Sequence, residues 1–492
     1  MDKYQSKKYG NISSQEIFEH YSEFSALDLA KFIRDKKVTS RELIVFVMKK
    51  VKELNPSLNA VITLRKASAL KEAENLKDEG QPFYGVPLLI KGIGQTMAGE
   101  SNTMGLVPLK ARVSEDTGKY VNRLQELGFI IIGQTNFPEL GLINQTKSKL
   151  YGNTSNPWEM SRNPGGSSGG ATASVAAGIV PIATGNDAGG SLRIPASWTG
   201  VIGFKPTRIL VTGDDEEPSV VNFAEGKSMA DLSMLFENVL DKHLAQVLVK
   251  PVQSLNTLKV AFSYKSPVNT KVSRTAIQGV KKAVKFLREH GFTCEQVDAP
   301  ADGVKLMQSY YSASTSVGTK ANKMIKDATG KSMNFDNVSA MTWGFWRADQ
   351  KQPKSAEDLV NSEIKRVTKA MADFHKKYPI YLTPTTAFAA PLNKESVYLP
   401  EDVKQLAHID DLNHEEQMQL IYKACLHQLK LSPFTQLANI SGEPAISLPT
   451  NVGTDGLPVG IMFEFAQFHD QLAFQIGNLF EKFNQFKFLK IK

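Results

Sequence analysis

Asn163-Pro-Gly-Gly-Ser-Ser-Gly-Gly-Ala-Thr-Ala-Ser-Val-Ala-Ala-Gly-Ile-Val-Pro-Ile-Ala-Thr-Gly-Asn-Asp-Ala-Gly-Gly-Ser-Leu-Arg-Ile-Pro-Ala-Ser197 is the most informative stretch of the 492-residue chain. A Gly/Ser-loaded turn opens a run of small residues at helical length. A short apolar run follows, and then a second turn of the form Gly-Gly-Ser. Glycines permit positive φ and close approach of other groups to the backbone. Two such turns in one stretch predict a site built from backbone N–H groups at the ends of a strand and a helix.

Working outward, similar apolar runs recur at 86–90, 129–133, 180–183, 201–204, 258–262, 379–383, 445–448 and 459–463. They lack polar alternation, which fits strands buried on both faces. Helical patterns lie between them. In 40–55, Leu43, Ile44, Val47, Met48, Val51 and Leu54 recur at helical spacing, and Thr39 with Glu42 forms a capping-box signature. Segments 269–290 and 470–483 are amphipathic in the same way. Strands alternating with helices predict an α/β fold whose sheet is covered on both faces. No internal repeat or long linker is evident. The chain reads as a single domain over 1–492 with a helical elaboration at about 300–375, and the acidic stretch 213–218 reads as an exposed loop.

Composition bounds the function. There are 58 Lys+Arg and 50 Asp+Glu, a net charge of +8, with 41% apolar residues. These proportions are those of an ordinary globular chain, not a disordered or low-complexity one. The lysines are dispersed, without the dense basic stripe expected of a nucleic-acid binder. Apolar runs fall well short of the roughly 18 residues of a membrane span. The polar N-terminus has no secretory pattern. Two distant cysteines, Cys294 and Cys425, offer neither a disulfide framework nor a thiolate metal site, and a reducing, cytoplasmic location is expected.

Three chemistries compete for the Gly/Ser stretch. A phosphate loop needs GxxxxGK[ST] or GxGxxG, and neither spacing is present. Gly165–Gly169 matches the G-x-S-x-G of a nucleophile elbow, but the elbow needs a strand running straight into the serine. Here the preceding residues Trp158–Pro164 are polar and broken by proline, and no histidine carries a matching motif. The third reading rests on an ordered set of motifs. These are GGSSGG, GNDAGGSLRIPAS, GVPLLIK at Gly85–Lys91, GQTNFPE at Gly133–Glu139, Gly152–Pro157, GFKPT at Gly203–Thr207, NISGEPAISLP at Asn439–Pro449 and GLPVGI at Gly456–Ile461.

This set closely resembles the amidase signature family along nearly the whole chain. The resemblance implies a large mixed, mostly parallel twisted sheet and a Ser-Ser-Lys amidohydrolase, with Ser191 as nucleophile, Ser167 as bridging serine after a cis peptide, and Lys91 as base. It implies an oxyanion hole from Ala188, Gly189, Gly190 and Ser191. A base must be neutral to accept a proton, whereas an ordinary lysine titrates near 10.4; burial at the end of an apolar strand lowers that value. Asp187 and Arg193 are expected to hold the nucleophile turn, and Ser168 to orient it. The sequence departs from the family pattern at Gly92, where Asp is usual, at Gln134 for Lys, and at Asn186 for Thr.

The SLRIPAS turn looks closer to stand-alone amidases and 6-aminohexanoate cyclic-dimer hydrolase-like members than to the A subunit of the aminoacyl-tRNA amidotransferase. Hydrolysis of a small linear amide is therefore expected, with cyclic oligoamides or the amidotransferase role as alternatives. No cofactor or metal is expected, nor nucleic acid or membrane as partner; the protein would be a monomer or homodimer. Tyr310, Tyr311, Trp343 and Trp346 either line an acyl or leaving-group pocket or pack between helices.

Overall fold

The structure is a computed structural model that describes residues 12–216 and 219–491. Residues 1–11 of the polar N-terminal stretch, and Glu217 and Pro218 of the acidic one, lie outside the described residues. Strands occur in this order: β1 (Val61–Leu64), β2 (Pro87–Lys91), β3 (Ile130–Thr135), β4 (Lys147–Ser148), β5 (Gly152–Asn153), β6 (Ile182–Asp187) and β7 (Ile202–Lys205). There follow β8 (Val221–Gly226), β9 (Lys259–Phe262), β10 (Thr293–Gln296), β11 (Ile380–Pro384), β12 (Ala445–Leu448) and β13 (Ile461–Phe465). β4 and β5 form a small ribbon, and the other strands make one 11-stranded sheet in the order β1-β3-β2-β6-β8-β7-β12-β13-β11-β9-β10.

The sheet is mixed, as expected, but not mostly parallel. β3-β2-β6 and β11-β9-β10 are parallel triplets, whereas β1 on β3 and every junction from β6 through β8, β7, β12 and β13 to β11 is antiparallel. A continuous apolar run reports burial on both faces, not strand direction. Every residue of β2, β3, β6, β7, β8, β11, β12 and β13 is buried, so both faces of the sheet are covered.

The helix Ser40–Leu58 begins at the expected capping box, Thr39 with Glu42. The amphipathic segment 269–290 is helical only over Arg274–Glu289, because Ser273 caps it by accepting the Ala276 amide. Helices Gly303–Thr329, Ala340–Gln350, Ser355–Lys377 and His414–Leu429 build a second apolar cluster around Met307, Tyr311, Phe345 and Ile421. The first two of these come together backbone to backbone: a Cβ on Gly318 would lie 2.2 Å from the Trp346 amide nitrogen. The acidic stretch is not simply an exposed loop. Asp214 is buried and accepts the Asn222 amide at 2.9 Å, while Asp215 is exposed beside Lys119.

Candidate active site

Parallel neighbours β2 and β6 end at the same edge of the sheet, so the residues that close them converge. Lys91 is the last residue of β2 and is completely buried. Its amine donates to Ser167 Oγ at 2.8 Å and to Asn186 Oδ1 at 2.7 Å. Burial pulls its pKa down to about 7, partly offset by the negative charges of Glu225 and Asp187. The Gln95 side chain, which accepts the Lys91 amide at 2.8 Å, also donates to the Gly185 carbonyl on β6.

The Gly92 departure has a steric explanation. A Cβ there would lie 2.5 Å from the Phe137 ring and 2.9 Å from Ile62, leaving no room for a side chain. The oxygen that holds the lysine comes instead from Asn186, whose amide is anchored by donating to the Ile93 carbonyl at 2.8 Å.

Ser167 and Ser168 precede the small-residue helix Gly169–Ala176, and the Gly166–Ser167 peptide is cis. The Ser168 amide donates to the Ser191 carbonyl at 3.3 Å, which sets the two Gly/Ser turns side by side. The Ser168 hydroxyl is buried and donates to the Asn186 carbonyl at 3.3 Å.

The nucleophile turn is organised around Asp187, the last residue of β6. Its carboxylate accepts the Gly190 amide at 2.6 Å, the Leu192 amide at 3.2 Å, and Arg193 Nε and Nη2 at 2.9 and 3.1 Å. Burial alone would raise this carboxyl, but the Arg193 guanidinium and Asn439 hold it well below the usual range. Arg193 also donates to the Thr435 carbonyl and to Asn439 Oδ1, each at 2.8 Å. Asp187 and Arg193 are thus a fully buried ion pair, not a surface one.

One element of the expected oxyanion hole has a protein partner in this structure. The Gly190 N–H is turned onto Asp187 and is not available to a ligand. The amides of Gly189 and Ser191 have no acceptor among the described residues. Gly190 adopts φ +121°, and a Cβ there would lie 2.2 Å from Thr435 Oγ1.

Ala188, Gly189 and Ser191 line a cavity together with Tyr310 and Tyr311. The Tyr310 hydroxyl stands over Gly189, 2.5 Å from the position a Cβ would take. Trp343 and Trp346 are elsewhere. Their rings pack against each other at 5.3 Å and against the apolar cluster of Leu106, Leu109 and Ile325, with Arg347 over Trp346. Tyr310 and Tyr311 thus line the cavity beside Ser191, whereas the two tryptophans pack between helices, the other reading that the sequence left open.

Several residues of the site were not singled out by sequence. The loop Gly141–Asn144 lines the cavity, and a Cβ on Gly141 would lie 3.3 Å from Ser167 Oγ. Thr435 and Asn439, from a distant part of the chain, brace the turn. Glu225 on β8 is fully buried with neither oxygen hydrogen-bonded to protein, and burial raises its pKa well above the usual range. Asn439 opens the NISGEPAISLP motif but was given no role, and the others sit in no motif; Glu225 lies in a strand that polar residues disguise.

Comparison with known proteins follows the geometry. A protein-family model described as Amidase matches residues 42–473. The chain is 43% identical over 487 residues to a lipoamidase of Enterococcus faecalis, covering 96% of this chain and 66% of that protein, so it spans just under two thirds of that relative. It is 28% identical over 473 residues to a 6-aminohexanoate-cyclic-dimer hydrolase of Paenarthrobacter ureafaciens, covering 91% and 92%. A solved 6-aminohexanoate cyclic dimer hydrolase complexed with substrate superposes with a TM-score of 0.80 at 25% identity, covering 93% of this chain and 96% of that one.

Proposed function

Because the chain belongs to the amidase family, we propose that it hydrolyses the C–N bond of a carboxamide through a serine acyl-enzyme, with Ser191, Ser167 and Lys91 as its triad. The observation that carries this reading is the buried Lys91 amine at 2.8 Å from Ser167 Oγ, with a pKa drawn down to about 7. A serine hydroxyl attacks only when a base removes its proton. Ser191 Oγ bonds to the carbonyl carbon, its proton passes to Ser167, and the Ser167 proton passes to the neutral Lys91 Nζ. The proton then returns along the same path to the departing nitrogen as the C–N bond breaks. Water repeats the cycle on the ester and releases the carboxylate.

The developing oxyanion would be met by the amides of Gly189 and Ser191, which face the cavity without a protein acceptor. One such donor is worth roughly 10²–10³ in rate. Asp187 and Arg193 hold the turn and Ser168 orients it. Tyr310 and Tyr311 bound the substrate.

The substrate is a small linear amide, and the chain works without a partner, as a monomer or homodimer in the cytoplasm. Two buried free cysteines support the reducing location. Among the described residues no helix is long and apolar enough to cross a membrane. The relatives widen the panel to lipoamide and to the cyclic dimer of 6-aminohexanoate.

A fluorophosphonate should label Ser191 in the purified chain, and Ser191→Ala should lose both labelling and amide turnover. Turnover by the chain alone excludes the alternative role as an amidotransferase subunit. Turnover retained in Lys91→Ala would overturn the triad.

A further inference from the structure

Two backbone donors of the nucleophile turn, the amides of Gly189 and Ser191, have no acceptor among the described residues, and both residues line the cavity beside the nucleophile. A third donor stands at the same place. Tyr310 lines that cavity too, and its hydroxyl lies 2.5 Å from the point where a Cβ on Gly189 would sit, against the Cα that carries the Gly189 amide. Among the described residues this hydroxyl has no hydrogen-bond partner. The acceptor nearest to hand, the Gly189 carbonyl, already takes the Thr435 hydroxyl at 2.8 Å.

The neighbouring polar groups are committed elsewhere. Tyr311, whose ring meets that of Tyr310 edge-on at 5.6 Å, is buried and shares its hydroxyl with Cys425. Asn144 and Gln436, which also line the cavity, direct their amide nitrogens to Gln428 and Ser432. Burial raises the Tyr310 phenol to about 13, so at neutral pH it keeps its proton and can donate it in a hydrogen bond. Three donors with no acceptor among them suit an oxygen that carries negative charge.

We propose that Tyr310 is a catalytic residue whose hydroxyl is the third donor of the oxyanion hole, beside the amides of Gly189 and Ser191. The inference rests on the amidase reading above and adds to it a side chain from the helix Gly303–Thr329. As Ser191 Oγ bonds to the carbonyl carbon, the π electron pair of the C=O bond moves onto its oxygen. The Tyr310 O–H hydrogen-bonds to that charge, and its proton stays on the phenol. Hydrogen bonds to an ionised acceptor are about twice as strong as neutral ones. The contact therefore strengthens on the way to the tetrahedral intermediate, which raises kcat more than it lowers KM.

Tyr310→Phe keeps the ring and deletes the hydroxyl. A fluorophosphonate should then label Ser191 at least about tenfold more slowly, because its phosphoryl oxygen enters the same hole. With hexanamide as substrate, kcat should fall by about 10²-fold, the value of one such donor. KM should change by less than about threefold, as expected for an interaction made only in the transition state. Pentylboronic acid, whose tetrahedral adduct on Ser191 copies the charged intermediate, should bind more weakly by the same factor as kcat falls. A cooperative melting transition verifies the fold; should Tyr310→Phe not melt cooperatively, Tyr310→Leu carries the comparison. Labelling and boronate binding within about threefold of the parent chain would overturn the third donor, whatever happens to kcat. Boronate binding that weakens in Tyr310→Phe while the parent chain turns over no amide would keep the donor and overturn the amidase reading alone.

Discussion

Lys91 loses its hydration on burial and gains no carboxylate in contact, only the neutral oxygens of Ser167 and Asn186. Its pKa of about 7 means that the reactive neutral form declines as pH falls. The pH profile of kcat/KM should therefore show an acid limb near pH 7, dropping about tenfold per unit below it. Lys91→Ala should lower kcat/KM by roughly 10²–10⁴, the span expected for one general base. Asn186→Leu removes an acceptor that stabilises the charged amine. Its acid limb should move to lower pH while kcat also falls, because the amine is less firmly aimed at Ser167. A limb unmoved in Asn186→Leu would mean that Asn186 does not govern the lysine.

Among the elements, the turn after β6 is the one most constrained, since a single carboxylate accepts from two backbone amides and a guanidinium. Arg193→Met strands the Asp187 charge in the interior. Removal of one partner from a buried pair costs about 3–5 kcal/mol, which a shift in the urea unfolding midpoint would report. The motif chemistry of this turn was legible in sequence because glycine, serine and the acid–arginine spacing are all local. The bond from the Gly190 amide to Asp187 was not legible, because it depends on how the turn folds back. Strands β2, β3, β7, β9, β11, β12 and β13 announced themselves as apolar runs. β8 did not, because Asn222 and Glu225 interrupt it, and they are buried polar residues near the site. Polar residues obscured a strand for the same reason that they matter: they face chemistry, not packing. The tryptophans at 343 and 346 left two readings open, since helical spacing cannot tell a cavity wall from a helix contact.

Over the whole molecule, buried titratable groups set a pH dependence of stability. Burial raises Asp214 and Asp231 to about 7 and Glu464 to about 8. Between their unfolded values near 4 and those pH values the folded protein holds the extra protons, so these acids make stability fall as pH rises. Burial lowers Lys91 to about 7 and Lys205 and Lys227 to about 8. From there to about 10.4 the unfolded chain holds the extra protons, so the lysines make stability rise with pH. The melting temperature should pass through a minimum near pH 8, and a steady rise from pH 5 to pH 8 would refute this. The arrangement of the sheet was less legible than its strands, because partner choice and direction are long-range properties. The same is true of the bracing of the nucleophile turn by Thr435 and Asn439, well over 200 residues downstream of Arg193. During synthesis the nucleophile turn leaves the ribosome long before the residues that clamp it, so its bracing is completed only after most of the length has been translated.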